Sequence, residues 1–170
     1  MHAFISSRVD YCNAVFNGAP QYVMDTLQRV LNAAAHLVTD TRKYDRGLST
    51  LIHDQLHWLN VPERVEYKLA VVVRRCLENK APRYLVNCCT PVADVASLHR
   101  QSANLHRSIV PRYRRSALGR RAFSVGGPTI WNSLPVELRE PTVRQCLSAH
   151  IEDDPVREIL VHRAQLRCVA

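Results

Sequence analysis

The sequence predicts a mainly α-helical fold: a small helical bundle with an extended Arg-rich arm and a Gly/Pro-turned C-terminal segment. Three observations predict it. Apolar residues recur at three- and four-residue steps over residues 21–39 and again over 65–77, which lays an apolar stripe along each of two helices. Residues 90–121 lose that periodicity and are rich in Ser, His and Arg. Finally, Gly126, Gly127 and Pro128 interrupt the last apolar stretch as a turn would. With 170 residues and an ordinary apolar share of 46%, the chain has enough material for one domain, or for two small ones.

The first stretch, FISSRVDYCNAVFNG, reads as a short helix closed by Gly18 and Pro20. The second helix, residues 21–39, places Val23, Leu27, Val30, Leu31, Ala34 and Val38 on its apolar stripe, with Arg29, Asn32 and His36 largely off it. Polar turn material fills 40–49, a short helical turn spans 51–56, and Trp58 and Leu59 follow. Pro62 suits the first turn of a third helix, with Asn60 as its cap and Glu63 near its positive end. Val65, Leu69, Val72, Val73, Cys76 and Leu77 form the expected buried face, while Glu63, Glu66, Arg74 and Arg75 are expected to face water. Its β-branched run Val71-Val72-Val73 weakens helical propensity, and the periodicity outweighs that. Residues 79–82 end the helix, and Pro82 opens one more turn through Tyr84 and Leu85. Order returns over 123–138, with further helices expected over 142–151 and 155–166 and no internal repeat.

Charge is concentrated. The net charge is +8, yet residues 98–121 alone carry seven arginines and no acid, so the rest of the chain is close to neutral. Arginine far outnumbers lysine, and its planar fork grips phosphate bidentately and stacks on flat rings, which a lysine ammonium cannot do. Arg100, Arg107, Arg112, Arg114, Arg115, Arg120 and Arg121, interleaved with Tyr113, His99 and His106, have the makeup of a nucleic-acid-binding arm. A solvated basic linker has the same composition, and an anionic membrane surface would also attract the charge, although no amphipathic face accompanies it.

Other classes find little support. The longest aliphatic run, residues 69–73, is far short of the ~20 residues that cross a bilayer. MHAFISSRVD lacks the basic start and long apolar block of a secretory signal, so an intracellular protein, nuclear or cytoplasmic, with reduced thiols is expected. Cys12, Cys76 and Cys146 sit among apolar neighbours and are expected to pack as small hydrophobes, and the adjacent Cys88 and Cys89 match neither a redox motif nor a zinc knuckle. His53-Asp54-Gln55-Leu56-His57 approaches the HExxH zinc motif, but its acid is a methylene short and Pro62 cuts the helix, so two surface histidines are the expected reading. Cys88, Cys89, His99 and His106 match no finger spacing. Asp153-Asp154 reads as a solvated helix terminus rather than a magnesium pair, and Gly126-Gly127 lacks the context of a phosphate loop. No catalytic or metal-ligating set is assigned.

Several stretches in order carry a resemblance: Ser7-Arg8-Val9-Asp10-Tyr11-Cys12-Asn13, Leu27-Gln28-Arg29-Val30-Leu31-Asn32-Ala33-Ala34-Ala35, Leu56-His57-Trp58-Leu59, Ala81-Pro82-Arg83-Tyr84-Leu85, then Arg121-Ala122-Phe123-Ser124-Val125 with Trp131-Asn132-Ser133-Leu134-Pro135. Over residues 4–139 the chain resembles the C-terminal part of reverse transcriptases of LINE-type, non-LTR retrotransposons of the jockey and chicken-repeat kind. The resemblance implies that the first helices correspond to the thumb; with the composition, the chain divides into a thumb-like helical region at 1–89, a basic arm at 90–121, a C-terminal packing segment at 122–150 and a divergent tail at 151–170. It implies contact with RNA template and growing DNA, in company with the polymerase portion that would precede Met1. It does not imply catalysis by this chain, because the palm's aromatic-x-Asp-Asp turn, which would hold magnesium in the parent polymerase, is not in the sequence.

The expected activity is therefore non-catalytic binding of RNA or single-stranded DNA through the arm, with Arg42 and Lys43 as a second contact, no cofactor and no membrane partner. The alternatives are a decayed reading frame whose helices act as a structural or interaction module, and last a metal site at His53 and His57.

Overall fold

A computed structural model describes residues 2–42, 47–48, 51–95, 106–114 and 119–139. The chain is mainly helical, as the periodicity predicts, and divides into two units, one of the described residues up to Val65 and one from Glu66 onward. The expected helices over 142–151 and 155–166, and Asp153-Asp154 with them, lie outside the described residues.

The first unit opens with α1 (His2–Asp10) and a 3-10 turn (Asn13–Phe16). Cys12 separates them in the left-handed region, at φ 53°. Gly18, also left-handed, and then Pro20 turn the chain into α2 (Gln21–Thr39). That helix stops where Asp40 adopts φ 53° and donates its N–H to the His36 carbonyl. A single turn of π-helix (Leu51–Gln55) precedes α3 (Val61–Leu77). Leu31 and Ala35 of α2 meet Ile52, Trp58 and Val61 in one buried cluster, with Ile5 and Val9 of α1 packed against it. Burial of each large apolar member of that cluster is worth about 1.5–3 kcal/mol.

The start of α3 is capped in part by another helix. Asn60 donates its backbone N–H to Glu63 Oε2 at 2.9 Å, the return arm of a capping box. Gln28 of α2 accepts the Val61 N–H at 2.9 Å through its Oε1, satisfying a donor the helix itself cannot. The same amide gives its Nε2 hydrogens to Asn32 and Asn60. Arg64 is almost buried: Nε donates to the Leu59 carbonyl and Nη1 to Asp10 Oδ1, both at 2.8 Å, with the guanidinium 5.9 Å from the Trp58 ring centre.

In the second unit α3 ends in a Schellman arrangement. Asn79 takes the left-handed conformation, its N–H reaches the Cys76 carbonyl, and the Lys80 N–H reaches that of Arg75. Then come α4 (Arg83–Val86), a 3-10 turn (Val92–Asp94), α5 (Phe123–Ser133) and α6 (Val136–Arg139). Leu69, Val73, Cys76, Cys89, Val92, Val125, Trp131, Leu134 and Leu138 are buried. Cys89 hydrogen-bonds to Cys76; burial first, and then the neighbouring Cys76 and Cys88, push the Cys89 thiol up to about 12.

Several expectations are corrected. Gly126, Gly127 and Pro128 do not turn the chain but lie inside α5. Pro128 has no N–H for the Ser124 carbonyl, a cost the helix carries because its small residues allow close packing. A Cβ on Gly127 would stand 2.9 Å from Val73 Cγ2 and 3.2 Å from the Phe123 ring, so only glycine permits that approach. Val30 faces solvent, 57% exposed, because the buried stripe of α2 centres on Leu31 and Ala35. Glu63 and Arg74 are buried rather than wet: Glu63 is held by the cap, and Arg74 donates to the Leu138 carbonyl. Cys12 is exposed, since the left-handed kink carries it out of α1. His53 is buried rather than at the surface, with Asn60 Nδ2 3.2 Å from its Nε2, whereas His57 is exposed.

Candidate nucleic-acid interface

The basic segment is anchored at residues 106–109, and the anchor is built from both sides. On one side the Val92 N–H donates to the Arg107 carbonyl and the Ile109 N–H to the Thr90 carbonyl, each at 2.9 Å, around an isolated antiparallel bridge between Pro91 and Ser108. On the other side stands Asn132 of α5. Its Oδ1 accepts the Ser108 N–H at 2.9 Å and its Nδ2 donates to the Ser108 carbonyl at 2.8 Å, so one amide side chain completes the ladder as a second strand would. Next to it, the buried Trp131 donates its indole N–H to the His106 carbonyl at 2.9 Å. The Trp131-Asn132 pair of the C-terminal motif is thus a clamp on main chain.

Extended geometry explains which side chains then reach water. Successive residues point to opposite sides, so Ser108 turns in and is buried while Arg107 turns out and is exposed. Beyond the clamp Arg112, Tyr113 and Arg114 are all exposed, and Arg120 and Arg121 are exposed just before α5. Ala122 is the α5 cap residue, and its N–H donates to the Gly119 carbonyl at 3.3 Å, tying the Arg120-Arg121 pair to the helix start. Five of the predicted arm arginines are therefore exposed: Arg107 within the hydrogen-bonded anchor, Arg112 and Arg114 beyond it, and Arg120 and Arg121 beside the start of α5. Arg100 and Arg115 lie outside the described residues, as does Lys43. Arg42 is exposed in the first unit, engaged in an interaction of its own.

Comparison with protein-family models, with curated proteins and with solved structures returns no match.

Electrostatics separate the arm from an open cavity of about 480 Å³ in the first unit. Asp25 and Glu63 line it beside Gln28, Asn32 and Asn60, and two carboxylates repel a phosphate. Among the described residues no three histidine, cysteine or acidic side chains gather as a metal ion would need. No helix among them is long and apolar enough to cross a membrane.

Sequence reasoning missed three contributors. Asn132 and Gly119 act through main-chain contacts, for which no composition signal exists; the Trp-Asn-Ser-Leu-Pro string at 131–135 was the only pointer to the first. Arg83 and Tyr84 form a further exposed basic-aromatic pair, Tyr84 being 70% exposed, which the sequence marked only as part of a helical turn and of the resemblance.

Proposed function

We infer that the chain binds RNA or single-stranded DNA without catalysing a reaction, as the thumb and post-thumb part of a LINE-type reverse transcriptase. One observation carries this reading: the acid-free arginine segment presents five exposed arginines, and its main chain is pinned at Ser108 by Asn132. Pinning lowers the entropy lost when phosphates are gripped, and arginine supplies bidentate contacts to them. On this reading the activity is electrostatic positioning of a strand, with polymerisation left to a palm elsewhere.

The test is a salt titration of binding to a short single strand. Each phosphate neutralised contributes about 0.7 to the log–log slope, so changing Arg112, Arg114 and Arg115 together to Ala should lower the slope by about 2. Binding that ignores salt, or a triple variant with the parent slope, would reject the reading.

One observation favours a second role alongside it. Tyr22, Val30 and Leu37 share the outward face of α2 and are 70%, 57% and 76% exposed. That face suits the polymerase portion of the parent protein. Leu37→Asp is expected to leave the isolated chain folded and to weaken its association with a palm-containing fragment supplied in trans.

A further inference from the structure

Tyr113 occupies an unusual seat. It lies between Arg112 and Arg114 and is 43% exposed, so a large share of its surface is left to water. The backbone of Gly119 lies against it. A Cβ built on Gly119 would stand 2.8 Å from both Tyr113 Cβ and Cδ2 and 3.0 Å from Cγ, distances no side chain tolerates. Gly119 therefore serves as a flat support against which the ring rests.

That support brings two charged stretches to one place. Arg112 and Arg114 flank the ring in sequence, and Arg120 and Arg121 follow the glycine it rests on; all four are exposed. The assembly is held from both ends. Upstream, the Asn132 and Trp131 clamp fixes residues 106–108, and downstream the Gly119 carbonyl takes the N–H of the α5 cap residue Ala122. A tyrosine with a purely packing role would be sunk into a core; this one is backed by Gly119 and still 43% exposed.

We propose that Tyr113, resting on Gly119 and flanked by Arg112, Arg114, Arg120 and Arg121, is a stacking platform for an unpaired nucleobase, so that the interface recognises bases as well as phosphates. The proposal rests on the nucleic-acid reading above and adds to it a ligand class: single strands with accessible bases, taken without regard to base identity because every base has a π-face. The guanidinium groups hold the flanking phosphates and the ring holds the base between them. A supported ring loses little freedom on binding, which favours stacking over what a mobile tyrosine could give.

The experiment compares two strands of equal phosphate count, a short oligothymidylate and its abasic counterpart, binding to the full chain at one salt concentration. The base-bearing strand is expected to bind about tenfold more tightly. Tyr113→Ala should bring the two within about twofold of each other while leaving the salt slope unchanged, and Tyr113→Phe should keep the preference. Gly119→Val, which drives a side chain into the ring, should erase the preference as Tyr113→Ala does, with the circular dichroism spectrum unchanged in both. Salt-dependent binding that is equal for the two strands, or a preference that survives Tyr113→Ala, would overturn the platform and leave the nucleic-acid reading standing. Failure to bind either strand would overturn both.

Discussion

Replacing Asn132 puts the main-chain clamp to a quantitative test. The side chain makes two short hydrogen bonds to Ser108, one to its N–H and one to its carbonyl, and Ser108 is only 3% exposed. Removing the amide leaves a buried donor and a buried acceptor unpaired. Each costs about 1–3 kcal/mol when no partner replaces it, and water entering the vacated space recovers some of that, so about 2–4 kcal/mol is the expected loss. Such a loss is a large part of the stability of an ordinary domain, about 5–15 kcal/mol. Asn132→Leu is the sharper variant, because it keeps the branched shape and deletes both bonds. With a urea dependence of about 1–3 kcal/mol per M, the unfolding midpoint should fall by about 1–2 M. Amide exchange provides the local readout: the Ser108 N–H should lose its protection in Asn132→Leu. A midpoint unchanged within about 0.2 M, with Ser108 still protected, would show that residues 106–109 are held by something else.

Three further outcomes follow from the packing. Gly127→Ala should destabilise the chain by about 1–3 kcal/mol, and Val73→Ala in the same chain should return part of that loss, since Val73 Cγ2 is the atom the new methyl meets; thermal unfolding of the four-member cycle reads the coupling. Arg64→Met should cost about 1–3 kcal/mol in chemical denaturation by removing the donors to the Leu59 carbonyl and to Asp10, and Arg64→Lys should not restore it, because one ammonium cannot span both partners. The third concerns pH. Burial raises the Cys89 thiol from 9.0 to about 12, so the folded state disfavours the thiolate; stability is whole below pH 9 and declines as pH rises from there toward 12. Cys89→Ala should shrink that alkaline loss relative to wild type, and in wild type iodoacetamide should label the exposed Cys12 well before the buried Cys89.

Long-period information was legible and short contacts were not. The span of α2, the start of α3 near Pro62 and its end near Asn79 follow from apolar spacing and from Pro, Asn and Gly at the boundaries, which act locally. Val30 was misplaced for a local reason too. Residues 30 and 31 are both apolar and adjacent, and only the position of Ile52 and Trp58 decides which of them faces inward. Gly126-Gly127-Pro128 shows the opposite failure: its local preference is a turn, and the fit of Gly127 against Val73 overrides it. For the candidate interface, composition located the arginines and Tyr113. It could not reveal that Asn132 and Gly119, residues of no special charge, decide where they stand. Side-chain-to-backbone contacts leave no periodic trace in a sequence.

The grip of Asn132 is on peptide groups alone, and this has a consequence for how the segment can change over generations. An amide that reads only the N–H and carbonyl of residue 108 places no demand on the identity of residue 107 or 109. Position 108 needs only a small side chain, as its buried hydroxyl without a hydrogen-bond partner attests. Attachment and chemistry are thereby inherited separately. Substitutions can redraw the outward-facing side chains, and so the charge offered to a ligand, while the docking point stays fixed by two residues 24 and 25 positions downstream of their partners.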